Sequence, residues 1–457
     1  MHNLTLKDIA KATGGKIICG SENILVSDIS IDSRQVKNDT LFVPLKGEHS
    51  DGHDYIDKAF EAGAAAVISQ KEIIADNKGV VLVEDTSLAL GKIAKYYKEQ
   101  FSIKTVAVTG SVGKTTTKDM LYAVLSTQYN TLKTEGNYNN EIGLPLTAMR
   151  LNSSHEAAVF EMGMSAFGEI HYLAQIARPE VAIITNIGMS HIENLGSQEG
   201  IYKAKTEICD YFNKDSVLIV NGDDKFLTKA KEFKDFKVIT YGIENESCDY
   251  VAFDIENAGI DGTRFKTKIY GAEHEVYVKT PGVHNVYNAL AAIACGVHYN
   301  IAPKRIIEGI ENFTLTKMRM SIERAGDITI INDCYNSSPD SVNAALKVLS
   351  TQDTRRVAVL GDILEMGEYA HDAHYKIGQW VYDNGIDMLI TIGENSKNIA
   401  QGAIDAGFSQ DNIKSFENTY DAQKEIKNHI EHKDSVLIKA SRGMSLELIT
   451  DAIKQMA

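Results

Sequence analysis

The sequence predicts an α/β protein built from three domains. Its 457 residues exceed what one hydrophobic core usually holds, because a domain averages roughly 150 residues. From about residue 104 onward, short runs of Val, Ile and Leu alternate with helical segments, the pattern of a sheet covered by helices on both faces. No internal repeat or low-complexity linker divides the chain. Element order therefore sets the boundaries, at 1–100, 101–314 and 315–457.

The first hundred residues predict a small α/β module. Short strands and one helix are expected over 29–31, 40–44, 56–64 and 66–68. A second helix is predicted over 86–101, because apolar residues recur at i, i+3, i+4 and i+7, namely Leu90, Ile93, Ala94 and Tyr97. This helix leads into the next domain.

The two later segments each predict a mostly parallel sheet. In the central segment the apolar strand runs are 106–108, 159–160, 181–184 and 217–220. In the last segment they are 328–331, 357–360, 388–392 and 436–438. Four such strands with helices between them indicate a separate, Rossmann-like doubly wound domain.

Composition limits the partners and the compartment. The chain carries 62 acidic against 47 basic residues, a net charge of -15, without a Lys/Arg run, so a nucleic-acid partner is not expected. The sequence contains no stretch of about 18 consecutive apolar residues, so no transmembrane helix is predicted, and its N-terminus lacks the apolar core of a signal peptide. The five cysteines form no C-x-x-C pair, which argues against a zinc site or a disulfide framework. We expect a cytoplasmic monomer.

A glycine-rich loop follows the strand at 106–108 and precedes a helix predicted over 114–125. Backbone N–H groups of such a loop bind phosphate oxygens, with Lys114 at the β- and γ-phosphates and the Thr115 hydroxyl on Mg²⁺. The spacing departs from the standard motif, since Val108 stands where its first glycine would be. A glycine turn before an exposed lysine is the alternative. The predicted nucleotide-binding residues here are Thr109, Gly110, Ser111, Val112, Gly113, Lys114, Thr115 and Thr116.

Polar residues follow the neighbouring strands. Glu161 ends an apolar run, where a carboxylate faces the ligand crevice of an α/β sheet and can bind a metal; a surface glutamate is the alternative. His191, after the next strand, could be a core residue, a surface residue or a ligand. Asn285 and Asn288 share one helix face; amides can read an adenine edge, but Asn285 could equally cap the helix. Arg34 or Lys46 could pair with a diphosphate or be surface charges.

The loop T-G-x-x-G-K-T at 109–115 resembles that of the Mur ligases and of their relative folylpolyglutamate synthetase, which are three-domain, ATP-dependent, amide-forming enzymes. The resemblance implies ATP as the phosphate donor and two Mg²⁺ ions. It implies metal ligation by Thr115, Glu161, His191 and Lys205, and a catalytic role for the last three with Lys114. Lys205 matches a lysine that CO₂ carbamylates in several Mur ligases, which turns a cation into an anionic ligand.

Further segments are similar to Mur ligase motifs. The G-N-x-N-N-x-I-G-x-P segment at 136–145 and the H-N-x-x-N-A segment at 284–289 lie near the nucleotide in that family. The N-terminal module is similar to a UDP-binding domain, and the D-x-Y-N-x-x-P segment at 333–339 lies near the ATP ribose and the incoming amine. The resemblance thus adds as nucleotide-binding residues Asn285, Asn288, Arg319 and Asp333, and as substrate-binding residues Ser33, Arg34, Lys46, Asn137, Asn139, Asn140, Tyr335 and Asn336.

Two segments resemble the family member that adds D-alanyl-D-alanine. They are the V-L-G-D segment from residue 359 and the K-x-S-R-x-M segment from residue 439, where Ala440 replaces the usual glycine. We expect Asp362 and Arg442 to bind this zwitterionic dipeptide. The implied reaction joins D-Ala-D-Ala to UDP-MurNAc-tripeptide through an acyl phosphate. Folylpolyglutamate synthetase and a P-loop NTPase that acts as a switch or transporter are the rivals. Whether the third residue of the tripeptide is lysine or diaminopimelate stays open.

Overall fold

The computed structural model describes residues 4–316 and 318–456. Its N-terminal part contains a five-stranded sheet of order β2-β7-β6-β5-β4, in which β2 pairs antiparallel and the others pair parallel, and a separate antiparallel pair β1-β3. The elements are β1 (Leu4–Thr5), α1 (Leu6–Thr13), β2 (Lys16–Cys19), β3 (Leu25–Val26), β4 (Asp28–Ser30), β5 (Thr40–Phe42), α2 (Ile56–Glu61), β6 (Ala66–Ser69), β7 (Gly79–Leu82) and α3 (Thr86–Lys98).

The central part contains a seven-stranded, entirely parallel sheet of order β14-β13-β12-β11-β8-β10-β9, as its apolar runs predict. A three-stranded antiparallel sheet, β15-β16-β17, was not predicted. The elements are β8 (Lys104–Thr109), α4 (Lys114–Ser126), β9 (Thr131–Lys133), α5 (Gly143–Ala148), β10 (Ala157–Glu161), α6 (Glu169–Ala177), β11 (Val181–Ile184), α7 (Ile192–Leu195), α8 (Gln198–Thr206), β12 (Val217–Asn221), β13 (Lys237–Gly242), β14 (Tyr250–Val251), β15 (Phe253–Asn257), β16 (Thr263–Ile269), β17 (Ala272–Val278), α9 (His284–His298) and α10 (Pro303–Asn312).

Alternation along β8 fixes how this sheet is covered. Val106 and Val108 belong to one hydrophobic cluster with side chains of α4, α9 and α10. Ala107 belongs to another, with side chains of α3, α5 and α6. Successive strand residues point to opposite faces, so both faces of β8 are buried under helices. This double burial explains why the strand is a continuous apolar run.

The C-terminal part is a six-stranded sheet of order β18-β19-β23-β20-β21-β22, parallel except for the antiparallel edge strand β18. Helices separate its parallel strands, which confirms the doubly wound prediction. The elements are β18 (Ser321–Ala325), β19 (Ile328–Asn332), α11 (Pro339–Leu349), β20 (Arg356–Gly361), α12 (Ala370–Asp383), β21 (Met388–Ile392), α13 (Lys397–Ala406), β22 (Ile413–Phe416), α14 (Thr419–Glu425), β23 (Ser435–Lys439) and α15 (Glu447–Lys454).

Specific contacts join the three parts. The Tyr97 hydroxyl at the end of α3 donates a hydrogen bond to the Leu151 carbonyl oxygen, 2.6 Å away. On the other side, Glu365 of the C-terminal part lies against His191 of the central part.

All five cysteines have free thiols; Cys19 and Cys209 are partly exposed and the rest are buried. Within the described residues, no helix is long and apolar enough to span a bilayer.

Candidate active site

Three parallel strands end side by side at the phosphate loop. β8 ends at Thr109, and its neighbours β10 and β11 end at Glu161 and Ile184. In the sheet register, Glu161 lies opposite Val108 and Ile184 lies opposite Thr109. The loop that follows β8 is therefore flanked by the ends of two neighbouring strands, at the carboxyl edge where α/β sheets bind ligands.

Two glycines shape this loop. Gly110 has a φ of +149°, and a Cβ there would lie 1.8 Å from Oγ1 of Thr185. Gly113 has a φ of +87° and directly precedes α4, a left-handed conformation that glycine adopts without strain. The segment after β11 holds the loop in place, because the Val112 N–H donates to Oδ1 of Asn186 at 2.9 Å.

Lys114 is the first residue of α4. Its ammonium donates a hydrogen bond to the Gly110 carbonyl oxygen, 2.7 Å away, so the side chain folds back over its own loop. Burial lowers the pKa of Lys114, and the Glu161 carboxylate opposes that shift. Since the N-terminus of a helix carries partial positive charge, Lys114 and the loop amides form a favourable site for phosphate oxygens.

Glu161 is only 1% exposed and has one oxygen unsatisfied. Oε1 accepts a hydrogen bond from Nδ2 of Asn139 at 2.8 Å, whereas the buried Oε2 has no partner. An unpaired buried carboxylate oxygen costs free energy, and oxygen is the ligand that Mg²⁺ prefers. Glu161 and the Thr115 hydroxyl, on the same cavity, therefore fit a divalent cation. No group of three or more His, Cys, Asp or Glu side chains suited to a metal occurs among residues 4–316 and 318–456.

The other two predicted metal ligands lie in different surroundings. Nδ1 of His191 lies 2.6 Å from Oε2 of Glu365, although the two groups lack the alignment of a hydrogen bond. Burial lowers the pKa of His191, and the Glu365 carboxylate opposes that shift. Lys205, in α8, is 2% exposed. Burial lowers the pKa of Lys205 well below its ordinary value, and the nearby Lys114 lowers it further.

The first turns of α9 are hydrogen-bonded to α4. Oδ1 of Asn288 accepts from the Thr117 hydroxyl at 3.0 Å, and Nδ2 of Asn288 donates to Oδ1 of Asn285 at 2.9 Å. Asn285 in turn donates to the Pro281 carbonyl oxygen at 2.8 Å. In this structure the two amides thus hold α9 against the phosphate-loop helix. Burial lowers the pKa of the neighbouring His284 to about 4.

The C-terminal part supplies the opposite wall. Oδ2 of Asp333 accepts a hydrogen bond from the buried Lys439 ammonium at 2.6 Å. Lys439 also donates to the Asn336 carbonyl oxygen at 3.0 Å. The Arg319 guanidinium lies 4.2 Å from the centre of the Tyr335 ring, and its buried Nε has no partner.

These residues face one cavity of about 730 Å³, within the ~300–1,000 Å³ typical of small-molecule sites. It brings together residues of the central and C-terminal parts, so a phosphate donor and an acceptor could be held side by side. The predicted site residues that line it are Ser111, Val112, Gly113, Lys114, Thr115, Thr116, Asn137, Asn139, Asn140, Glu161, His191, Asn285, Asn288, Arg319, Asp333, Tyr335, Asn336 and Arg442.

Comparison with known proteins gives this arrangement a family. Three family models match successive parts of the chain: "Mur ligase family, catalytic domain" at 25–98, "Mur ligase middle domain" at 108–296, and "Mur ligase, glutamate ligase domain" at 318–442. The UDP-N-acetylmuramoyl-tripeptide–D-alanyl-D-alanine ligase of Bacillus subtilis (strain 168) is 40% identical over 99% of both chains. The chain belongs to the Mur ligase family.

Solved Mur ligase structures share the fold. MurF from Acinetobacter baumannii superposes with a TM-score of 0.90 at 30% identity, over 99% of each chain. The MurF ligase from Thermotoga maritima, solved in complex with ADP, superposes with a TM-score of 0.83 at 27% identity, over 94% of this chain and 97% of that one. The predicted Mur-type, three-domain α/β architecture is therefore confirmed.

Some predicted residues of this Mur ligase lie outside the cavity lining. Thr109 and Gly110 lie at the base of the phosphate loop, and Lys205 is buried in α8. Asp362 is buried, and its Oδ1 accepts a hydrogen bond from the Ser396 N–H at 2.7 Å, just before α13. The remaining three, all in the N-terminal part, are Ser33, Arg34 and Lys46.

Arg34 is an exposed residue of the N-terminal part. Its side chain is 87% exposed, and its guanidinium makes two 2.9 Å hydrogen bonds to the carboxylate oxygens of Asp32. An exposed, preoriented guanidinium can bind an anion from solution. The N-terminal residues and the cavity thus form two separate candidate regions.

Sequence reasoning missed several residues that line the cavity in this Mur ligase. Lys439 had a usable signal, because a lysine directly after an apolar strand run of a doubly wound sheet lies at the ligand-binding edge. The other missed residues do not directly follow an apolar strand run, although His284 and Glu141 lie within the segments at 284–289 and 136–145. They include Glu141, Ser165, Glu169, Ser190, Thr280, His284, Ser337 and Ser338.

Proposed function

We propose that this Mur ligase joins D-alanyl-D-alanine to UDP-N-acetylmuramoyl-tripeptide at the expense of ATP, giving the UDP-MurNAc-pentapeptide precursor of peptidoglycan. The relatives named for that reaction, 40% and 32% identical over nearly the whole chain, support the substrates. The observation that carries the proposal is the single cavity that the phosphate loop shares with Asn336 and Arg442 of the C-terminal part. A phosphoryl donor, a carboxylate acceptor and an amine could meet there.

The reaction has two steps. The terminal carboxylate of the tripeptide attacks the γ-phosphorus of ATP, which releases ADP and forms an acyl phosphate. The dipeptide amine then attacks the acyl carbon, loses a proton, and phosphate leaves as the amide bond forms. Lys114 and Arg319 line the cavity and would stabilise negative charge on the transferring phosphoryl group. Exclusion of water by the two facing walls protects the acyl phosphate.

We further propose that Glu161 and Thr115 hold Mg²⁺, and that His191 and Lys205 serve a second ion. Bound Mg²⁺ would neutralise charge on the ATP phosphates. The unpartnered Oε2 of Glu161 supports the first site. For the second, the lowered pKa of Lys205 favours the neutral amine, which is the form that CO₂ carbamylates.

We assign the dipeptide to the part of the cavity beside Arg442. Its side chain is 53% exposed and lines the cavity, so its guanidinium could bind a carboxylate in addition to Glu447, with which it pairs at 3.0 Å. The uridine diphosphate end is assigned to Ser33, Arg34 and Lys46. The role of Asp362 is proposed to be shaping this pocket through Ser396.

Phosphate release tests the proposed function. Purified protein would be incubated with ATP, Mg²⁺ and UDP-MurNAc-tripeptide, with or without D-Ala-D-Ala, and the products examined by mass spectrometry. We expect multiple-turnover release only with the dipeptide, matched by pentapeptide formation. Release that ignores both substrates would instead indicate a nucleotide hydrolase. Activity with glutamate and a folate in their place would indicate a folylpolyglutamate synthetase.

A further inference from the structure

A buried charged cluster lies outside the cavity, on the phosphate-loop helix. Asp119 of α4 is 2% exposed. Its Oδ1 accepts a hydrogen bond from Nζ of Lys133 at 2.8 Å and lies 3.4 Å from Nζ of Lys118. Lys118 is 1% exposed. Because burying charges is costly unless they are paired, such a cluster calls for a function or a precise structural reason.

The other oxygen of Asp119 reaches the connection between the central and C-terminal parts. Oδ2 accepts a hydrogen bond from the Thr316 hydroxyl at 2.8 Å. Thr316 lies between α10, which ends at Asn312, and β18, which begins at Ser321. An open groove of about 270 Å³, lined by Asp119 and Phe313 among others, runs beside this connection. Packing therefore leaves space around the connection, and the hydrogen bond to Asp119 limits its position.

The connection carries residues of the cavity wall. Leu315, Met318, Arg319 and Met320 all line the cavity that contains the phosphate loop. The Met320 N–H donates to Oδ1 of Asp333 at 3.0 Å, which fixes the far end of the segment. Thr316 fixes the near end. Arg319 lies between these two attachments, with its buried Nε unpartnered.

We propose that Asp119, acting through the Thr316 hydroxyl, is a positioning residue that places Arg319 opposite the phosphate loop. We call the hydrogen bond between Thr316 and Asp119 the tether. Because Asp119 and Lys114 lie on the same helix, the tether fixes the position of Arg319 relative to the helix that binds phosphate. Lys133 pairs with Oδ1 of Asp119 at 2.8 Å, which leaves Oδ2 to accept the hydrogen bond from Thr316. The anion that Arg319 meets is a nucleotide phosphate, and in this respect the inference rests on the proposed function.

Thr316→Val tests the tether, because valine keeps the shape of threonine and removes its hydroxyl. We expect ADP affinity, measured by calorimetry, to fall about two- to tenfold, the loss expected for one hydrogen bond. Thr316→Ser should restore it. Thr314→Val is the matched control, since Thr314 is an exposed threonine two residues away, and it should bind ADP like the wild type.

A double-mutant cycle separates positioning from general stability. In an Arg319→Ala background, Thr316→Val should change ADP affinity by less than about twofold, because the residue it positions is gone. An equal loss in both backgrounds, or a Thr316→Val variant that binds ADP like Thr314→Val, would overturn the proposal. A second variant, Asp119→Asn, should weaken ADP binding in the same Arg319-dependent way.

The proposed function and the tether fail in distinguishable ways. Wild-type protein that binds ADP but makes no pentapeptide would refute the substrate assignment. The tether is decided by the ADP affinities alone, which need no acceptor substrate. In steady-state assays, Thr316→Val should raise the KM for ATP or lower kcat while the KM for D-Ala-D-Ala stays within about twofold of wild type.

Discussion

The strongest support for a metal site is one atom, Oε2 of Glu161. This oxygen is buried without a partner at the end of β10, and Gln would keep the shape of the side chain while removing its charge. We expect Glu161→Gln to raise the Mg²⁺ concentration for half-maximal activity by at least about tenfold. A Mg²⁺ titration of ligation rate measures this.

A neighbouring carboxylate provides the control for that experiment. Glu169 lines the same cavity, but its Oε2 already accepts a hydrogen bond from the Ser165 N–H at 2.7 Å. Glu169→Gln should therefore leave the Mg²⁺ requirement close to that of the wild type. If both variants titrate like the wild type, Glu161 is not a metal ligand.

His284 makes stability depend on pH. Burial lowers its pKa from the ordinary 6.5 to about 4, so between these pH values the unfolded chain binds a proton and the folded chain does not. The neutral imidazole's contribution to the free energy of unfolding is fully present above pH 6.5. It is lost as pH falls towards 4, which lowers that free energy by on the order of 3 kcal/mol. We expect the Tm of wild-type protein to fall more steeply across this window than that of His284→Gln.

An exposed histidine provides the comparison. The His371 side chain is 68% exposed, so His371→Gln should keep the steep wild-type dependence. Parallel Tm profiles for wild type and His284→Gln would show that His284 titrates alike in the folded and unfolded chains.

At the scale of elements, the phosphate loop depends on Gly110. An added Cβ would fall 1.8 Å from Oγ1 of Thr185, so the loop or β11 must move. Gly110→Ala should lower Tm and reduce turnover by at least about 100-fold, as expected when loop donors lose their alignment. Gly136 has a φ of +53° but nothing within 4 Å of an added Cβ. Gly136→Ala should cost only about 1 kcal/mol and keep most activity; equal effects would contradict this account.

The predictability of each element follows from its burial. Parallel strands such as β11 are buried on both faces, so their continuous apolar runs identified them. The antiparallel sheet was missed because β16 is buried only at alternate residues, and two of those residues are Thr263 and Thr267. A search for continuous apolar runs cannot find such a strand.

The residues of the candidate site also divide into those that the sequence predicts and those that it does not. Residues next to strand ends, such as Lys114 and Glu161, were placed by local order because the edge of a parallel sheet collects them. Contacts between distant segments were not predictable. Glu365 lies against His191 where the C-terminal part packs on the central part, and Lys439 pairs with Asp333 across the neighbouring strands β23 and β19 of one sheet. No local pattern encodes these pairs.

At the scale of the whole molecule, the three parts are packed together. One cluster of buried apolar side chains includes Leu6, Phe160 and Leu437, one residue from each predicted domain. The boundaries near residues 100 and 315, the monomeric state and the cytoplasmic location remain predictions. The packing accounts for how a cavity can be lined by two sheets, which is what joining two substrates requires.

Transfer of oxygen-18 from the tripeptide carboxylate to phosphate tests for the acyl-phosphate intermediate. UDP-MurNAc-tripeptide labelled with oxygen-18 in its terminal carboxylate would be incubated with ATP, Mg²⁺ and D-Ala-D-Ala. Attack by the carboxylate leaves one of its oxygens on phosphorus, so we expect one oxygen-18 in each released phosphate, matched by an equal amount of pentapeptide. Unlabelled phosphate, or phosphate released without the dipeptide at the same rate, would contradict this mechanism.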